Sequence, residues 1–486
     1  MAITKKEALM AIDREREAIC NASDQVWDNP ETAFLEYKSM EILCDLLTKE
    51  GFEVKQNVAN IPTAFTGRFG HGKPVIGFLG EFDALSGISQ VAGCLEKKAL
   101  VEGGNGHGCG HNLLGVGSVA AAVAVKEYLE KNDKEGTVVF YGCPGEEGGS
   151  GKAFMARDGV FDEVDFAVSW HPSTVNEVWV GSSLANYQVI YRFYGISSHA
   201  AGSPEKGRSA LDAVALMNTG VQYLREHVIQ EARIHHAITN TGGFSPNVVQ
   251  PYAEVLYLIR APKNPQVKEI FERINDIAKG AALMTGTTME MEFVKACSNL
   301  VDNTTMQEVM YKNFLEIERD PYTEEEMQFI NDIFATLKYS GLDIPAMLAK
   351  YEKSHKAEAE AILTPFRNAA VNDFIVPLVD AEIPIAGSTD GGDVSWVCPT
   401  VQAKVVCEVA GTPGHSWQLT SQMKSSFAHK GMLWAGKVMA ATAIDMYESP
   451  ETIEAAKKEH DARLGGSKYE CGIPKDIVPQ AIKPKK

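Results

Sequence analysis

The sequence has no unbroken run of about 18 apolar residues, the length that a membrane-crossing helix needs, so no span is expected. It is also short of positive charge: 46 lysines and arginines stand against 64 aspartates and glutamates, a formal net charge of −18. A balance of that sign argues against nucleic acid and anionic membranes as partners. The first twenty residues lack the apolar core of a secretory signal, and Asp13, Arg14, Glu15 and Arg16 make them a charged amphipathic stretch instead. Nine cysteines are scattered without a paired framework, which suits a reducing compartment and predicts a cytoplasmic protein. A phosphate-binding loop is missing too. Gly151-Lys152 resembles the end of one, but Glu146 stands where the first glycine must be and Ala153 replaces the Ser or Thr.

What is present is a chain of 486 residues, long enough for at least two domains, and a concentrated set of metal-type donors. Gly-His-Gly-Cys-Gly-His-Asn at 106–112, Pro-Gly-Glu-Glu-Gly-Gly at 144–149 and Trp-His-Pro at 170–172 offer Cys109, His111, Glu147 and His171. Zinc accepts this mixture of sulfur, nitrogen and oxygen, as do manganese and cobalt, whereas magnesium and calcium disfavour the thiolate. Glu146 is a spare carboxylate beside them, the group that an activated water needs as its general base. Each fragment alone has a bland reading: a packed turn, a solvated acidic pair, a structural zinc site. A structural site gives no reason for the additional carboxylate at Glu146.

The fragments recur at the same structural moment. Residues 74–80, 137–143 and 165–170 are short apolar runs that predict buried strands, and the Glu pair and His171 follow two of them. Alternating strands and helices predict an α/β fold with a parallel sheet, whose ligands gather at the carboxyl ends of the strands. Residues 5–50 have helical periodicity, broken at Asn29-Pro30 and ended by Gly51. Residues 112–130 predict a helix with Asn112 as its N-cap, its dipole favouring a Cys109 thiolate. From about residue 186 the pattern becomes strand–helix–strand–strand–helix–strand, counting 237–240 as a strand, which predicts a small inserted α+β sandwich. Residues 315–375 are charged and helical, without recognisable chemistry. A strand over 400–410 leads to Gly-Thr-Pro-Gly-His-Ser, making His415 the last ligand expected.

The order of these motifs, together with Gly-Ile-Ser-Ser-His-Ala-Ala at 195–201 and Ser-Pro-Asn-Val-Val at 245–249, resembles the aminoacylase/carboxypeptidase family of co-catalytic metallohydrolases. Within it, the chain is similar to the amidohydrolase branch that includes hippurate and indole-acetyl-amino-acid hydrolases, where a cysteine replaces an aspartate ligand. The resemblance implies a co-catalytic zinc-peptidase-like domain at 1–186 and 301–486, with a ferredoxin-like dimerisation and lid domain at 187–300. It implies two divalent ions, zinc or manganese with cobalt as an alternative, held by Cys109, His111, Glu147, His171 and His415. Glu146 would be the general base, His199 the oxyanion donor, often supplied across a dimer, and Asn247 and Arg260 the grip on the substrate carboxylate. Asp83 is expected to hold a ligand or a turn. The implied reaction is hydrolysis of an N-acyl amino acid, p-aminobenzoyl-glutamate foremost. The alternatives are a dipeptide or another acyl conjugate, or a subunit that needs a related partner chain.

Overall fold

The computed structural model describes residues 2–338, 341–379 and 387–481. Seven strands form the larger sheet, in the spatial order Glu53–Gln56, Phe65–His71, Gly136–Cys143, Val75–Glu81, Phe166–Ser173, Thr400–Val406, Glu177–Val178. The four strands from Gly136–Cys143 to Thr400–Val406 are mutually parallel, and the flanking strands are antiparallel. Every residue of Val75–Glu81 and of Gly136–Cys143 is buried. Alternate side chains serve two cores: Ile76, Phe78, Val138 and Phe140 enter one, and Val75, Leu79, Val139 and Tyr141 the other. A sheet covered on both faces needs apolar side chains on both, so these strands read as continuous apolar runs.

Helix His111–Lys131 lies across this sheet and packs against Ser426–Glu448. By length and composition it is apolar enough to cross a membrane, a feature the sequence expectation passed over; 89% of its apolar window is buried inside the protein, as in a core helix. It begins one residue earlier than expected. Gly110, in the left-handed region at φ 76°, is the N-cap in place of Asn112. The Asn112 side chain donates instead to Ser23 Oγ and the Met423 carbonyl. The N-terminal helical stretch is three helices, Lys5–Arg14, Arg16–Asp28 and Tyr37–Lys49, with a break at Glu15 besides the expected one after Asn29.

The second sheet is antiparallel throughout, in the order Thr288–Cys297, Ala185–Tyr194, Tyr252–Ala261, Arg233–Asn240. Helices Ala210–Leu224 and Asn264–Thr285 cover one face. Val189, Tyr191, Val255 and Tyr257 point into that core beside Val214 and Ile274, while intervening residues stay half-exposed. This is the strand–helix–strand–strand–helix–strand order read from sequence. The segment 315–375 is helical as expected, with Glu324–Ala335, Ile344–Leu348 and Lys353–Leu363 among its elements.

Candidate metal centre

The carboxyl ends of the parallel strands and the start of helix His111–Lys131 meet at one place. Val75–Glu81 delivers Glu81 as its last residue, with Asp83 just beyond, and Gly136–Cys143 leads into Glu146 and Glu147. His171 lies within Phe166–Ser173 rather than after it, because that strand runs three residues beyond its expected end. The glycines around Cys109 let its loop pass between neighbours. A Cβ on Gly108 would fall 2.1 Å from Ile88 Cδ1, and one on Gly110 2.8 Å from Met423 Sδ. The last parallel strand stops at Val406, earlier than predicted, so His415 comes from a turn. Its φ of 55° is uncommon for a residue with a side chain, and its N–H donates to the Gly108 carbonyl at 3.0 Å. Ser416 then caps helix Trp417–Gln422.

Three overlapping triplets of donor atoms result: Cys109–His111–His171, Cys109–Glu147–His415 and Glu81–His111–Glu146, each within 4.8 Å of one another. Cys109 Sγ is 3.5 Å from His171 Nε2, His415 Nε2 is 3.3 Å from Glu147 Oε1, and His111 Nε2 is 3.2 Å from Glu81 Oε2. A tetrahedral ion with M–N and M–O lengths of about 2.0–2.2 Å and M–S of about 2.3 Å spaces two N/O donors about 3.3 Å apart and an S/N pair about 3.5 Å apart. The donor set fits such ions. His111 Nε2 and Glu147 Oε1 are also buried without a hydrogen-bond partner, as expected of atoms that face a cation. Around them, Asp83 ties two donors together: its Oδ1 lies 2.9 Å from His111 Nδ1, and its Oδ2 accepts from the Glu147 N–H at 2.9 Å. His171 Nδ1 is held 2.6 Å from the Pro172 carbonyl, leaving Nε2 for a ligand role. Orientation of a ligand through its second nitrogen is the usual support of a metal histidine.

The electrostatics of the protein alone follow from burial and crowding. Burial, then the charge on His111, pull His171 down to about 4, so its ring is neutral with a lone pair to offer. Burial raises Glu147, but the hydrogen bond from His415 and the charge on His111 hold it at about 2. Burial, then Glu81, Glu147 and Asp390, push Glu146 well above the carboxylate range. Cys109 departs from the sequence expectation: burial and Glu147 push its thiol up, overriding any helix dipole. A coordinated cation reverses that balance, because a coordinating thiol is deprotonated outright. His107, in the same motif, is not part of the cluster; its buried ring turns to the Val26 carbonyl at 3.1 Å.

The remaining sequence candidates belong to the second sheet and its loops. His199 and Asn247 lie side by side on exposed loops, the Ala200 N–H donating to the Asn247 carbonyl at 3.0 Å. Arg260 sits on Tyr252–Ala261 opposite Asn186 and Arg233. Sequence reasoning assigned nothing to Glu81, Lys152 and Asp390. Lys152 is buried with its Nζ 2.8 Å from Glu81 Oε1 and 2.5 Å from Asp390 Oδ1. The signal for Glu81 was its place at the end of a fully apolar strand, two residues before Asp83.

Comparison with known proteins agrees with this geometry. The model of peptidase family M20/M25/M40 matches residues 77–416. A p-aminobenzoyl-glutamate hydrolase chain from Escherichia coli (strain K12), one of that enzyme's two kinds of subunit, is 48% identical over 97% of this chain and 98% of the relative. The Xaa-Arg dipeptidase of Mus musculus is 27% identical over 96% and 94%. Among solved structures, a dinuclear metal-binding M20 peptidase from Bacillus subtilis superposes with a TM-score of 0.55 at 15% identity, covering 90% of this chain and 99% of that one. With the family model spanning most of the chain and a full-length relative near half identity, the protein belongs to peptidase family M20/M25/M40 and is an amidohydrolase of that family.

Proposed function

We propose that the chain hydrolyses the amide bond of an N-acyl amino acid, p-aminobenzoyl-glutamate foremost, releasing p-aminobenzoate and glutamate, a reaction of folate breakdown. The observation that carries this reading is the convergence of Cys109, His111, Glu147, His171 and His415 on donor spacings that suit two ions, with Glu146 beside them. Zinc or manganese, with cobalt as an alternative, would be held there and would supply a water of lowered pKa and a polarised carbonyl. Glu146 takes the proton of the attacking water and returns it to the leaving nitrogen as the C–N bond breaks. A carboxyl whose environment raises its proton affinity suits both halves of that transfer.

His199 would donate to the oxyanion. Its Nδ1 accepts from the N–H groups of Ala201 and Gly202 at 3.2 and 3.0 Å, which leaves the neutral ring's hydrogen on Nε2, free to donate. Asn247 and Arg260 would grip the substrate carboxylate, the guanidinium offsetting the repulsion that a chain of net charge −18 exerts on an anion. In this reading residues 1–186 and 301–486 form the metal-binding catalytic domain and 187–300 the lid and dimerisation domain. Exposed Tyr223, Ile238, Phe244 and Leu283 on the latter support pairing with a second copy or a related chain. A cytoplasmic location accords with nine free cysteines.

Glutamate release from p-aminobenzoyl-glutamate by the purified chain, stripped of metal and then given manganese or zinc, tests the proposal. Metal-dependent turnover is the expected result. A chain that binds metal and forms dimers yet releases nothing would overturn the substrate assignment and send the search to dipeptides with a C-terminal basic residue.

A further inference from the structure

We infer that Glu81 is itself a metal ligand, a sixth donor held ready by the buried Lys152–Asp390 pair. The inference rests on the two-metal reading above and extends it to a residue outside the five expected ligands.

Glu81 is 4% exposed and its two carboxylate oxygens have different partners. Oε1 receives Lys152 Nζ at 2.8 Å. Oε2 lies 3.2 Å from His111 Nε2, a spacing too close to be accidental for a buried acceptor beside a ring nitrogen whose only hydrogen is committed elsewhere. His111 Nδ1 faces Asp83 at 2.9 Å and donates there, so the neutral ring's Nε2 holds a lone pair and has no hydrogen-bond partner. A lone pair facing a carboxylate oxygen across that gap is repulsive unless a proton or a cation lies between them. The spacing equals the donor–donor edge of a tetrahedral ion, about 3.3 Å, like the His415–Glu147 pair in the same site.

Lys152 explains how this carboxylate can be kept charged in the interior. Its ammonium is 1% exposed and pairs with Asp390 as well, whose Oδ2 accepts the Lys152 backbone N–H at 2.9 Å. A buried ammonium with a single carboxylate would be charge-balanced. Two carboxylates on one lysine leave an excess negative charge, which a cation at the free oxygen of Glu81 neutralises. Asp390 has both oxygens committed to Lys152, so the oxygen left over belongs to Glu81.

The test uses the full chain as wild type, Glu81→Gln and Glu81→Asp, each stripped of metal and reloaded with Co(II) alone. Bound cobalt per chain, its affinity by chelator competition, and its visible absorption are recorded, with circular dichroism as a check on folding. Wild type should bind two ions. Glu81→Gln should lose one of them or bind it at least about 10-fold more weakly, with changed absorption at the retained site. Glu81→Asp keeps the charge opposite Lys152 but shortens the reach, and should move both readouts the same way with the fold intact. Two ions, unchanged affinity and an unchanged spectrum in both variants would overturn the inference. Weaker binding with an unchanged spectrum would also overturn it, since that marks a residue acting through His111 rather than on the ion. A wild-type chain that binds no cobalt would instead overturn the two-metal reading itself.

Discussion

In strand Val75–Glu81 every residue is buried, whereas in Tyr252–Ala261 burial falls largely on alternate residues. The first belongs to a sheet sandwiched between two cores, the second to a sheet with helices on one side only. The difference divides the chemistry. Doubly covered strands fix their ends rigidly, and the donors that must agree to a few tenths of an ångström, Glu81, Glu147 and His171, are attached to those ends. The one-sided sheet carries groups that meet a substrate: His199 and Asn247 on exposed loops and Arg260 on the half-open face. Rigid burial suits metal binding, and exposure suits groups that must engage and release.

The sharpest way to break this comparison is to remove one proton-handling or donor group from each region and ask what else fails. Glu146→Gln should lower kcat by about 10²- to 10⁴-fold while two ions remain bound, measured by turnover and metal analysis on the same sample. Full activity in this variant would remove Glu146 from the mechanism. His199→Ala should cost about 10²- to 10³-fold in kcat, with metal content and melting temperature unchanged, because its ring is exposed and bonds only to the next two backbone N–H groups among its described contacts. Loss of metal in that variant would erase the division between a metal-holding and a substrate-meeting region.

Much of this was legible in the sequence because both sheets announce themselves by period. Unbroken runs at 74–80 and 137–143 marked the covered strands, alternation at 186–194 marked the one-sided sheet, and the five ligand motifs sat beside strand ends. Boundaries were less legible. Asn112 is a good N-cap by type, yet Gly110 takes the cap, because only a residue without a Cβ passes Met423 and Pro172 there. The Lys152–Glu81–Asp390 triad was invisible because its members are far apart in sequence and a lysine reads as surface until its burial is seen. The helix dipole argument for Cys109 failed on magnitude: desolvation of a buried thiol outweighs a partial charge at a helix end.

A smaller effect separates the two regions by pH. His429 Nε2 lies 3.0 Å from Asp24 Oδ1, joining helix Ser426–Glu448 to helix Arg16–Asp28 behind the larger sheet. Burial opposes its charge, but hydrogen bonds with Asp24 and Cys20 outweigh that and raise it from 6.5 to about 9. A folded-state value above the unfolded one means that the pair stabilises the protein fully below about pH 6.5. That contribution is lost as pH rises through about 9, and partial exposure limits it to on the order of 2 kcal/mol. With metal kept saturating, protection factors for amide exchange in those two helices should fall between about pH 6.5 and pH 9.5. Helix Ala210–Leu224, which covers the smaller sheet, carries no such pair among its described hydrogen bonds and should hold steady wherever its opening is local. Asp24→Asn should flatten the fall in the two helices without changing that control. An equal fall in all three helices would mean that the two regions open as one cooperative unit, and that the burial difference between their sheets does not divide their stability.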